Sequence, residues 1–577
     1  MQKDDTVTDL NEQLYEIKIA NEEDRKCIYK LRYKIYAEEL HQHKPNPFLQ
    51  LEDKLDQHNI YIIAKRKEII LGFISITPPR APTFSIDKYF NRSNVPLNFD
   101  KTLYEVRLLT VQKIFRYHTL AFILMYAACR WVSSHGGKNI VAICRTDLIN
   151  FYIKLGLRPI NMFAKSGELN YQLSSASVNE LENIVNEKTN LLKEIKSKIV
   201  WNLPFSFFKP STCYHGGSFF EAIGEDLQTI EKNKIIINAD VLDAWFPPSP
   251  KVVEAIKCQL LWLLQTSPPT HSTGLIKAIS KHRYVDENCI LPGAGSSDLI
   301  FLAMRHWLNP KSKVLILDPC YGEYFHVLEK IIHCQVHRHN LKRKEGFVVN
   351  TNSLLKEIKT GYDMIIIVNP NSPTGVHIPK KKLENMLLEI PNSTMVWVDE
   401  TYIEYAGSSQ SLEFFASQSE NIIVCKSMSK VYALSGARVA YLCSSPHLIE
   451  QLKPLTPPWA VSLPSQLAAI TALKDEEYYK EKYTMTHMLR ENLKQSLLEV
   501  GIKEIIPGIA NFILFYLPEA LDPKDFVESC KSLHLYIRDV SGMGKTLGNG
   551  AIRIAVKDEH MNIKMVEIMS SCLEMVL

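Results

Sequence analysis

The chain has 577 residues, of which 46% are hydrophobic and 23% are charged, and its formal net charge is +4. This length exceeds what one hydrophobic core usually serves, so we expect at least two domains. The charge is too small for a chain of this size to indicate a nucleic-acid or acidic-membrane partner, and no apolar run is long enough to cross a bilayer.

Twelve cysteines are spread along the chain without a Cys-x-x-Cys pair or a cluster with histidine. This spacing predicts neither a metal site nor a disulfide framework. Residues 1–13 are polar and acidic, and they lack the basic and then apolar pattern of a targeting segment. We therefore expect a soluble protein with reduced thiols in the cytoplasm.

The N-terminal region, residues 13–175, alternates strand and helix patterns and is predicted to form an α/β domain. Apolar runs at 61–64 and 69–76 predict two neighbouring strands, and the run at 140–144 predicts another. Before that last strand, residues 119–133 place apolar side chains on much of a helical surface, which predicts a largely buried helix.

The end of this region carries a more specific pattern at 150–159, Asn-Phe-Tyr-Ile-Lys-Leu-Gly-Leu-Arg-Pro. It resembles the closing motif of the GNAT N-acetyltransferase fold, in which a helix bearing Phe-Tyr packs beside the thiol end of an acyl carrier. The resemblance places Tyr152 at that position. Residues 105–108 and 31–36 further resemble the branch that contains autoinducer and N-acyl amino acid synthases.

The loop at 116–121 takes the place of the pyrophosphate-binding loop in that fold, with Arg116 as its candidate cation. Thr119 replaces the central glycine of that loop, and a branched side chain hinders the close approach of backbone N–H groups to a pyrophosphate. Two interpretations stay open. The domain is an N-acyltransferase that uses acyl-CoA or an acyl carrier protein, or it is a non-catalytic module that binds an acyl carrier or another ligand for regulation.

Residues 176–212 are predicted to be a helical linker between two domains. Positions 177–198 place apolar residues at helical spacing among charges, which predicts an amphipathic helix. Pro204 and Pro210 then predict a loop. We expect the second domain to span residues 213–577.

The first candidate ligand-binding loop of the second domain is formed by Gly295, Ser296 and Ser297. These residues precede a predicted helix at 299–308. A loop of glycine and serine at a helix N-terminus presents backbone N–H groups and a positive dipole, so it is a candidate phosphate site.

Three further candidates follow predicted buried strands. Tyr321 offers an aromatic face for stacking, Asn371 lies in a loop bounded by proline and glycine, and Asp399 places a carboxylate at the carboxyl end of a strand. In an open α/β sheet such a carboxylate points into the crevice, where it can keep a pyridine nitrogen protonated and make the ring an electron sink. The apolar runs that predict these strands are 314–317, 364–368 and 394–398.

The run Ser-Met-Ser-Lys that ends at Lys430, followed by Arg438, completes this set. A lysine amine can react with the aldehyde of a cofactor. The hydroxyls of Ser427 and Ser429, together with a bidentate arginine fork, suit a phosphate dianion. With Asp399 upstream, these residues predict a site for pyridoxal phosphate (PLP) in which Lys430 is the reactive amine.

Residues from about 213 to 577 resemble a fold-type I PLP enzyme of the class I/II aminotransferase group, with patterns similar to histidinol-phosphate aminotransferases and threonine-phosphate decarboxylases. The resemblance implies a mostly parallel sheet with helices on both faces, a small C-terminal α+β subdomain and a homodimer. It also implies that Tyr321 stacks on the cofactor ring, that Tyr402 and Asn371 contact its phenolic oxygen, and that Lys430 moves the substrate proton as general base and acid.

Two arginines near the C-terminus are candidates for binding the substrate. Arg553, in the run Ala-Ile-Arg-Ile-Ala-Val, resembles the substrate-carboxylate arginine of the family, and an arginine fork fits a carboxylate. Arg538 resembles a second substrate-side arginine of the histidinol-phosphate group. Residues 238–247, however, replace the Asn-Glu-Asn-Pro pattern of the family, so the resemblance does not assign the substrate.

The predicted activity is transamination between a small-molecule amino donor and acceptor of the amino acid or amino-phosphate type. A PLP-dependent decarboxylase, lyase or β/γ-replacement enzyme uses the same cofactor contacts and is the alternative. Residues 214–217, Tyr-His-Gly-Gly, resemble the opening of threonine-phosphate decarboxylases and keep loss of CO₂ open. The pairing with an acyltransferase-like domain suggests a biosynthetic enzyme that performs amination followed by N-acylation.

Overall fold

The computed structural model describes residues 14–116, 119–187, 189–208 and 215–576. The chain separates into two compact units, Met1–Pro210 and Ser211–Leu577. Four of our expected domain limits, Gln13, Thr212, Cys213 and Leu577, lie outside the described residues. Within the described ranges, no helix combines the length and the apolar character needed to span a membrane.

The described part of the N-terminal unit is built on one eight-stranded sheet with helices between its strands. The predicted strands and the predicted helix of this region correspond to elements of this sheet and to the longest of these helices. The strands are β1 (Tyr15–Ile19), β2 (Ile60–Arg66), β3 (Ile69–Thr77), β4 (Leu103–Val111), β5 (Asn139–Arg145), β6 (Arg158–Ser166), β7 (Leu169–Ser177) and β8 (Ile199–Asn202). The helices are α1 (Glu22–Arg32), α2 (Leu120–Ser134), α3 (Ile149–Lys154), α4 (Val178–Glu187) and α5 (Thr189–Ser197).

The strand order of this sheet is β6-β7-β5-β4-β3-β2-β1-β8. β4 and β5 are parallel neighbours, and their ladder joins residues 103–105 with 139–141. Both strands continue beyond that ladder, to Val111 and to Arg145. Within the continuing part of β4, Leu108 has a left-handed backbone (φ 54°) and the pairing with β3 shifts register there. The two strands therefore pair only over their first three residues.

Within the segment expected to be a linker, 176–212, the described residues include α4, α5 and β8 and belong to the N-terminal unit. β8 adds to the edge of the sheet by pairing in parallel with β1. Leu181, Leu192 and Ile195 are buried in the same core as α2. The single amphipathic helix predicted here is two helices, α4 and α5, and apolar side chains of both pack on this core.

The C-terminal unit contains a seven-stranded sheet, a four-stranded sheet and a two-stranded pair among its described residues. The strands are β9 (Ile237–Asn238), β10 (Ile290–Gly293), β11 (Lys313–Asp318), β12 (Gln335–Asn340), β13 (Met364–Val368), β14 (Met395–Asp399), β15 (Ile422–Ser427), β16 (Ala440–Cys443), β17 (Glu504–Ile505), β18 (Phe512–Tyr516), β19 (Leu535–Tyr536), β20 (Arg538–Asp539) and β21 (Ala551–Ala555). The helices are α6 (Phe219–Ile223), α7 (Pro250–Gln265), α8 (Thr273–Arg283), α9 (Ser296–Trp307), α10 (Gly322–Phe325), α11 (Thr351–Ile358), α12 (Lys380–Leu387), α13 (Glu413–Ser417), α14 (Pro446–Leu452), α15 (Leu463–Leu473), α16 (Glu476–Glu499), α17 (Pro523–Ser532) and α18 (Glu559–Val576).

The large sheet has the order β10-β16-β15-β14-β13-β11-β12, and β11 to β15 run parallel while β16 is antiparallel to both of its neighbours. Its two faces pack into two different cores. Leu315 and Ile365 belong to one core, whereas Ile316 and Ile366 belong to the other. Burial on both faces explains the continuous apolar runs of these strands, and it confirms the predicted mostly parallel sheet of the α/β class.

The four-stranded sheet, in the order β17-β18-β21-β20, is antiparallel and forms the predicted C-terminal α+β part. In its register, Arg538 of β20 lies opposite Arg553 of β21. The short strand β9 pairs in parallel with β19. This pairing ties the segment before residue 240 to the C-terminal part of the unit.

Candidate active site

The carboxyl ends of parallel strands gather most of the predicted cofactor residues at one edge of the large sheet. Tyr321 follows β11, Asn371 follows β13, Asp399 ends β14, and Lys430 follows β15. Neighbouring parallel strands end at the same edge, so residues far apart in sequence meet there.

Lys430 is partly buried, with its side chain 18% exposed, and its amine contacts a carboxylate that lies far away in the sequence. Its Nζ donates to Oδ1 of Asp243 at 2.7 Å and lies 3.3 Å from Oγ of Ser435. Burial lowers the pKa of the Lys430 amine, the charge of Asp243 opposes that effect, and Arg438 and Arg553 add to the lowering. The reactive amine therefore lies within electrostatic reach of both the phosphate candidate and the substrate candidate.

Asp399 is buried and held by three donors. The backbone N–H and the hydroxyl of Thr401 donate to its Oδ1 at 2.9 and 2.7 Å, and the Tyr324 hydroxyl donates to its Oδ2 at 2.8 Å. Burial raises the pKa of the Asp399 carboxyl, and these hydrogen bonds oppose the rise. A cationic ring nitrogen beside it would favour the ionised form further.

Sequence analysis did not single out Tyr324. Its hydroxyl accepts a hydrogen bond from Nε1 of Trp397 at 2.8 Å, so Trp397, Tyr324 and Asp399 form a buried chain. These hydrogen bonds fix the orientation of the Asp399 carboxylate. No local sequence motif predicts this contact, because Tyr324 and Asp399 follow different strands.

Tyr321 and Tyr402, the aromatic candidates, each contact another ring. Tyr402 packs edge-on against Phe512 with ring centroids 5.2 Å apart, and burial raises the pKa of its hydroxyl. The hydroxyl of Tyr321 lies 3.2 Å from Nδ1 of His215. The structure thus places an N-terminal residue of this unit against the proposed ring-stacking side chain.

Asn371 and Asn369 share one loop but make different contacts. The Asn369 side chain accepts from the Ile378 N–H at 2.8 Å and donates to the Ile378 backbone oxygen at 3.0 Å, and these two bonds fix the loop. The Asn371 amide nitrogen donates to the backbone oxygen of Pro319 at 3.1 Å, while its buried Oδ1 has no protein partner among the described residues. An unsatisfied buried acceptor is costly, so Asn371 is the asparagine available to a bound group.

Gly295 and Arg438 define the proposed phosphate end of the site. Gly295 has φ +99° and precedes α9, and a Cβ at this position would overlap the Arg438 guanidinium. Ser296 and Ser297 begin the helix, and the Ser297 hydroxyl donates to Glu323 at 3.0 Å. The missing side chain of Gly295 leaves room for the guanidinium beside a helix N-terminus.

Ser427 and Ser429 are both buried beside Lys430. The backbone N–H of Ser429 lies 3.3 Å from Oγ of Ser427. The two serines therefore belong to one turn between β15 and the lysine, as their predicted role in phosphate binding requires.

Arg553 and Arg538 lie on paired strands at the substrate side of the site. Nη1 of Arg553 lies 3.3 Å from Oγ of Ser372 and its Nη2 lies 3.5 Å from the backbone oxygen of Asp240, while Nε is buried without a protein partner in the described chain. Burial and the neighbouring charge of Arg538 lower the pKa of Arg553 to about 10. The Arg553 guanidinium is therefore incompletely satisfied by protein groups.

The N-terminal unit contains a cavity of about 620 Å³. It is lined by residues 106–111 of β4 and 142–145 of β5, beyond the ladder that joins these strands, and by side chains of α2 and α3. Both acyl-carrier candidates, Arg116 and Tyr152, line this cavity.

The two acyl-carrier candidates differ in their surroundings. Arg116 pairs with Glu39 and donates to the backbone oxygen of Val111 at 3.1 Å. Tyr152 is half-buried, and desolvation raises the pKa of its hydroxyl. The rest of the predicted pyrophosphate loop includes residues 117 and 118, which lie outside the described residues.

The C-terminal unit matches known proteins. The family model for aminotransferase class I and II matches residues 239–568. The chain belongs to this family. A histidinol-phosphate aminotransferase of Staphylococcus aureus (strain MRSA252) is 31% identical to this aminotransferase over 332 residues, which cover 56% of the chain and 88% of that enzyme.

Solved structures share the fold of the aminotransferase. The histidinol-phosphate aminotransferase of Sinorhizobium meliloti, solved in complex with pyridoxal-5'-phosphate, aligns with a TM-score of 0.57 and 20% identity over 65% of this chain and 99% of that chain. The L-threonine-O-3-phosphate decarboxylase of Porphyromonas gingivalis aligns with a TM-score of 0.51 and 18% identity over 59% of this chain and all of that chain, 100%.

PLP is the cofactor of this aminotransferase family, and the residues present fit it. The buried Oδ1 of Asn371 lacks a protein partner within the described ranges, and the space at Gly295 admits the Arg438 guanidinium. The donor set also matches the chemistry of PLP: an amine for an aldehyde, a carboxylate for a ring nitrogen, and cationic and N–H groups for a phosphate.

Proposed function

We propose that the C-terminal unit transfers an amino group between a small amino acid or amino phosphate and a 2-oxo acid. The observation that carries this proposal is that Arg553 lies within electrostatic reach of Lys430. Arg553 is buried, the Lys430 side chain is only 18% exposed, and the Arg553 charge lowers the pKa of the Lys430 amine. A reactive amine and a carboxylate-binding guanidinium in one site suit the α-amino acids that aminotransferases use.

Each side chain of the site has a distinct task in this proposal. PLP, when bound, withdraws electrons from the substrate Cα through its pyridine ring. Arg438, Ser429 and the N-terminus of α9 would hold its phosphate, and Asp399 would hold a proton on its ring nitrogen. Lys430 takes the proton from the substrate Cα and later returns one, as general base and acid.

The substrate side favours a molecule with two anionic groups. Arg538 and Arg553 occupy opposite positions on β20 and β21, and both are buried. The charge of Arg538 disfavours the charged form of Arg553, and an anion bound by both guanidinium groups would relieve this repulsion. We therefore propose a substrate with a carboxylate and a second acidic group, of which a phosphate is one candidate.

The test is the absorbance spectrum of the full-length protein with PLP, before and after adding single L-amino acids or amino phosphates and then a 2-oxo acid. We expect a visible cofactor band that a productive donor abolishes and the oxo acid restores. Lys430→Ala is the control that lacks the band. Arg553→Lys keeps the charge but loses the fork, so it should weaken donor binding without abolishing the band. A band that no amine donor changes would reject transamination.

A decarboxylase is the second candidate, because a specific contact favours it. His215, one residue of the motif that resembles the opening of threonine-phosphate decarboxylases, contacts Tyr321, the proposed ring-stacking residue. Measuring released CO₂ with the same donors distinguishes the two reactions. Stoichiometric CO₂ without amino-group transfer would establish the alternative.

For the N-terminal unit we propose a GNAT-like fold that binds an acyl carrier and transfers the acyl group to an amine. Support comes from the order β1 to β5 followed by β7 and β6, from the end of the β4–β5 ladder, and from the cavity that opens there. Calorimetry with a series of acyl-CoA thioesters of increasing chain length tests binding. Binding without acyl transfer to any amine product would favour a regulatory module.

We also propose a homodimer. The helix α7 buries Val252 and Leu263 but exposes much of the rest of its apolar surface, with Leu261 79% and Leu264 70% exposed. Trp262 beside them is half exposed. Monomeric soluble proteins rarely leave such a continuous apolar helix face uncovered. Light scattering should give a dimer, and Leu261→Glu with Leu264→Glu should give a monomer.

A further inference from the structure

The segment that departs from the family pattern lies directly against Lys430. It is anchored on both sides: the Leu242 backbone oxygen accepts from Nδ2 of Asn511 at 3.0 Å, and Nε1 of Trp245 donates to Oγ1 of Thr486 at 2.8 Å. Asp243, between these anchors, accepts the 2.7 Å hydrogen bond from the Lys430 amine. The carboxylate is thus held in place by the fold.

A second lysine lies within electrostatic reach of this carboxylate. Lys557 follows β21, and its backbone is fixed by Asn562, which accepts from the Lys557 N–H at 2.9 Å and donates to its C=O at 2.8 Å. Burial lowers the pKa of the Lys557 amine to about 8, Asp243 opposes that lowering, and Lys430 adds to it. The contacting pair of Lys430 and Asp243, together with the electrostatically coupled Lys557, is called the Asp243 cluster.

We propose that Asp243 is a positioning residue that stabilises the ammonium form of Lys430, and that Lys557 balances the Asp243 charge whenever the Lys430 amine is neutral. This rests on the proposed aminotransferase function. During turnover the substrate Cα–H bond breaks, its electron pair stays with the carbon, and the lone pair of Lys430 takes the proton. The resulting ammonium lies beside Asp243 until it returns the proton.

The other groups that face the Lys430 amine act in the opposite sense or carry no charge. Arg438 and Arg553 disfavour its charged form, and Ser435 contributes a neutral hydroxyl. Tyr402 lies within electrostatic reach of Asp243. The Asp243 carboxylate is therefore the group that opposes burial and two guanidinium charges at the reactive amine.

The proposal is tested by the pH dependence of PLP capture by the full-length protein, which needs no turnover. The neutral amine reacts with the aldehyde, so the cofactor band develops as pH rises through the pKa of Lys430. Asp243→Asn should shift that midpoint to lower pH by about one unit, whereas Lys557→Met should shift it to higher pH. The two neutralising substitutions thus have opposite signs.

Turnover supplies the second readout. In Asp243→Asn the ammonium loses its counter-charge, so kcat should fall about tenfold while KM changes little, and Asp243→Glu should recover part of the loss. Ser435→Ala removes a neutral contact and should leave the midpoint within a few tenths of a unit. A purely structural role for Asp243 predicts no such pattern.

Equal midpoints, or shifts of the same sign in Asp243→Asn and Lys557→Met, would overturn the proposal. If Asp243→Asn does not fold, Lys557→Met still decides, because an unchanged midpoint there rejects the balancing role. Failure of the proposed function shows up differently. In that case the wild-type protein captures PLP, but no amine donor changes its spectrum, and the midpoint comparison remains valid.

Discussion

The active site of the C-terminal unit and the cavity of the N-terminal unit are built in different ways. In the active site, the charged groups are held by partners from distant parts of the chain. Lys430 contacts Asp243, and Asp399 contacts Tyr324. A buried charge is costly unless it has a directed partner, so few other functions are consistent with these charged side chains.

The cavity has a wall that is more apolar than polar, and charged side chains around it pair with each other. Arg107 pairs with Asp53 at 2.5 Å, and Arg116 pairs with Glu39. The ligand of such a cavity is selected by the shape of the cavity more than by reactive groups. The contrast teaches that the first region can be inferred from short motifs, whereas the second needs the assembled sheet.

The largest expected effect is that of Asp399→Asn on the active site. Without the carboxylate the ring nitrogen of the cofactor loses its counter-charge, so we expect transamination to fall about 10³-fold. PLP should still bind, because Lys430 and Arg438 are intact. Single-turnover kinetics with saturating PLP measure the effect. Tyr324→Phe is the milder control, since Thr401 keeps both of its bonds to Asp399.

A fall of less than tenfold in Asp399→Asn would contradict the assignment. It would mean that the ring nitrogen is held by another group. The contrast between the two regions would then be smaller, because the function of the active site, like that of the cavity, would not depend on this one directed charge.

Next in size is a change in stability from a buried charge network beneath the site. Glu404 accepts hydrogen bonds from Arg283 at 2.6 Å and from Lys426 at 2.9 Å. Glu404→Gln leaves both cations underpaired, so the free energy of unfolding should fall by about 3 kcal/mol. Urea unfolding at pH 8 measures it.

Glu400 belongs to the same network, and neutralising it should change the free energy of unfolding in the opposite direction. Burial raises the pKa of Glu400 to about 7 from an ordinary 4.5, so the folded state binds a proton that the unfolded state releases. This contribution to stability is present below about pH 4.5 and is lost as pH rises towards 7. Glu400→Gln should therefore be more stable than wild type at pH 8, by up to roughly 3 kcal/mol, and similar at pH 4.5. Equal stabilities at pH 8 would contradict this.

Local patterns predicted three of the strands that carry the active site, β11, β13 and β14, to within one residue at either end, whereas β15, which precedes Lys430, was not predicted. β13 begins and ends at the predicted residues, because a continuous apolar run is bounded by Asp363 and by Asn-Pro. α9 begins three residues earlier than predicted, since polar Ser296 and Ser297 already belong to its first turn. β8 was not predicted, because a short edge strand shows too few residues for a period.

The contacts across the site could not be predicted from local patterns. Asp243 and Lys430 are 187 positions apart, and Tyr324 and Asp399 are 75 apart. Strand order, rather than periodicity or turn chemistry, brings such residues together. The departure from the family pattern at 238–247 drew attention to the segment that contains Asp243, but it did not predict the contact with Lys430. No sequence pattern pointed to Lys557.

A smaller effect is expected for Gly295→Ala at the phosphate end. The φ of +99° disfavours alanine, and its Cβ would displace the Arg438 guanidinium. Because the guanidinium is the end of a flexible side chain, it can move, and we expect PLP affinity to fall about tenfold without unfolding. Gly436→Ala is the control, since a Cβ added there would meet no heavy atom within 4 Å beyond its chain neighbours. Equal affinities of the two variants would remove Arg438 from the phosphate site.

The smallest effect belongs to the cavity. Arg116 is already bonded to Glu39 and to the backbone of Val111, so its guanidinium has limited capacity for a pyrophosphate. Partly exposed ion pairs contribute little, and Arg116→Gln should weaken acyl-CoA binding only about threefold. Arg158→Gln, which breaks a comparable exposed pair with Glu180, should leave binding unchanged. A loss of more than about a hundredfold in Arg116→Gln would show that Glu39 releases the arginine to the ligand. The cavity would then depend on a directed charge, as the active site does, and the contrast between the two regions would fail.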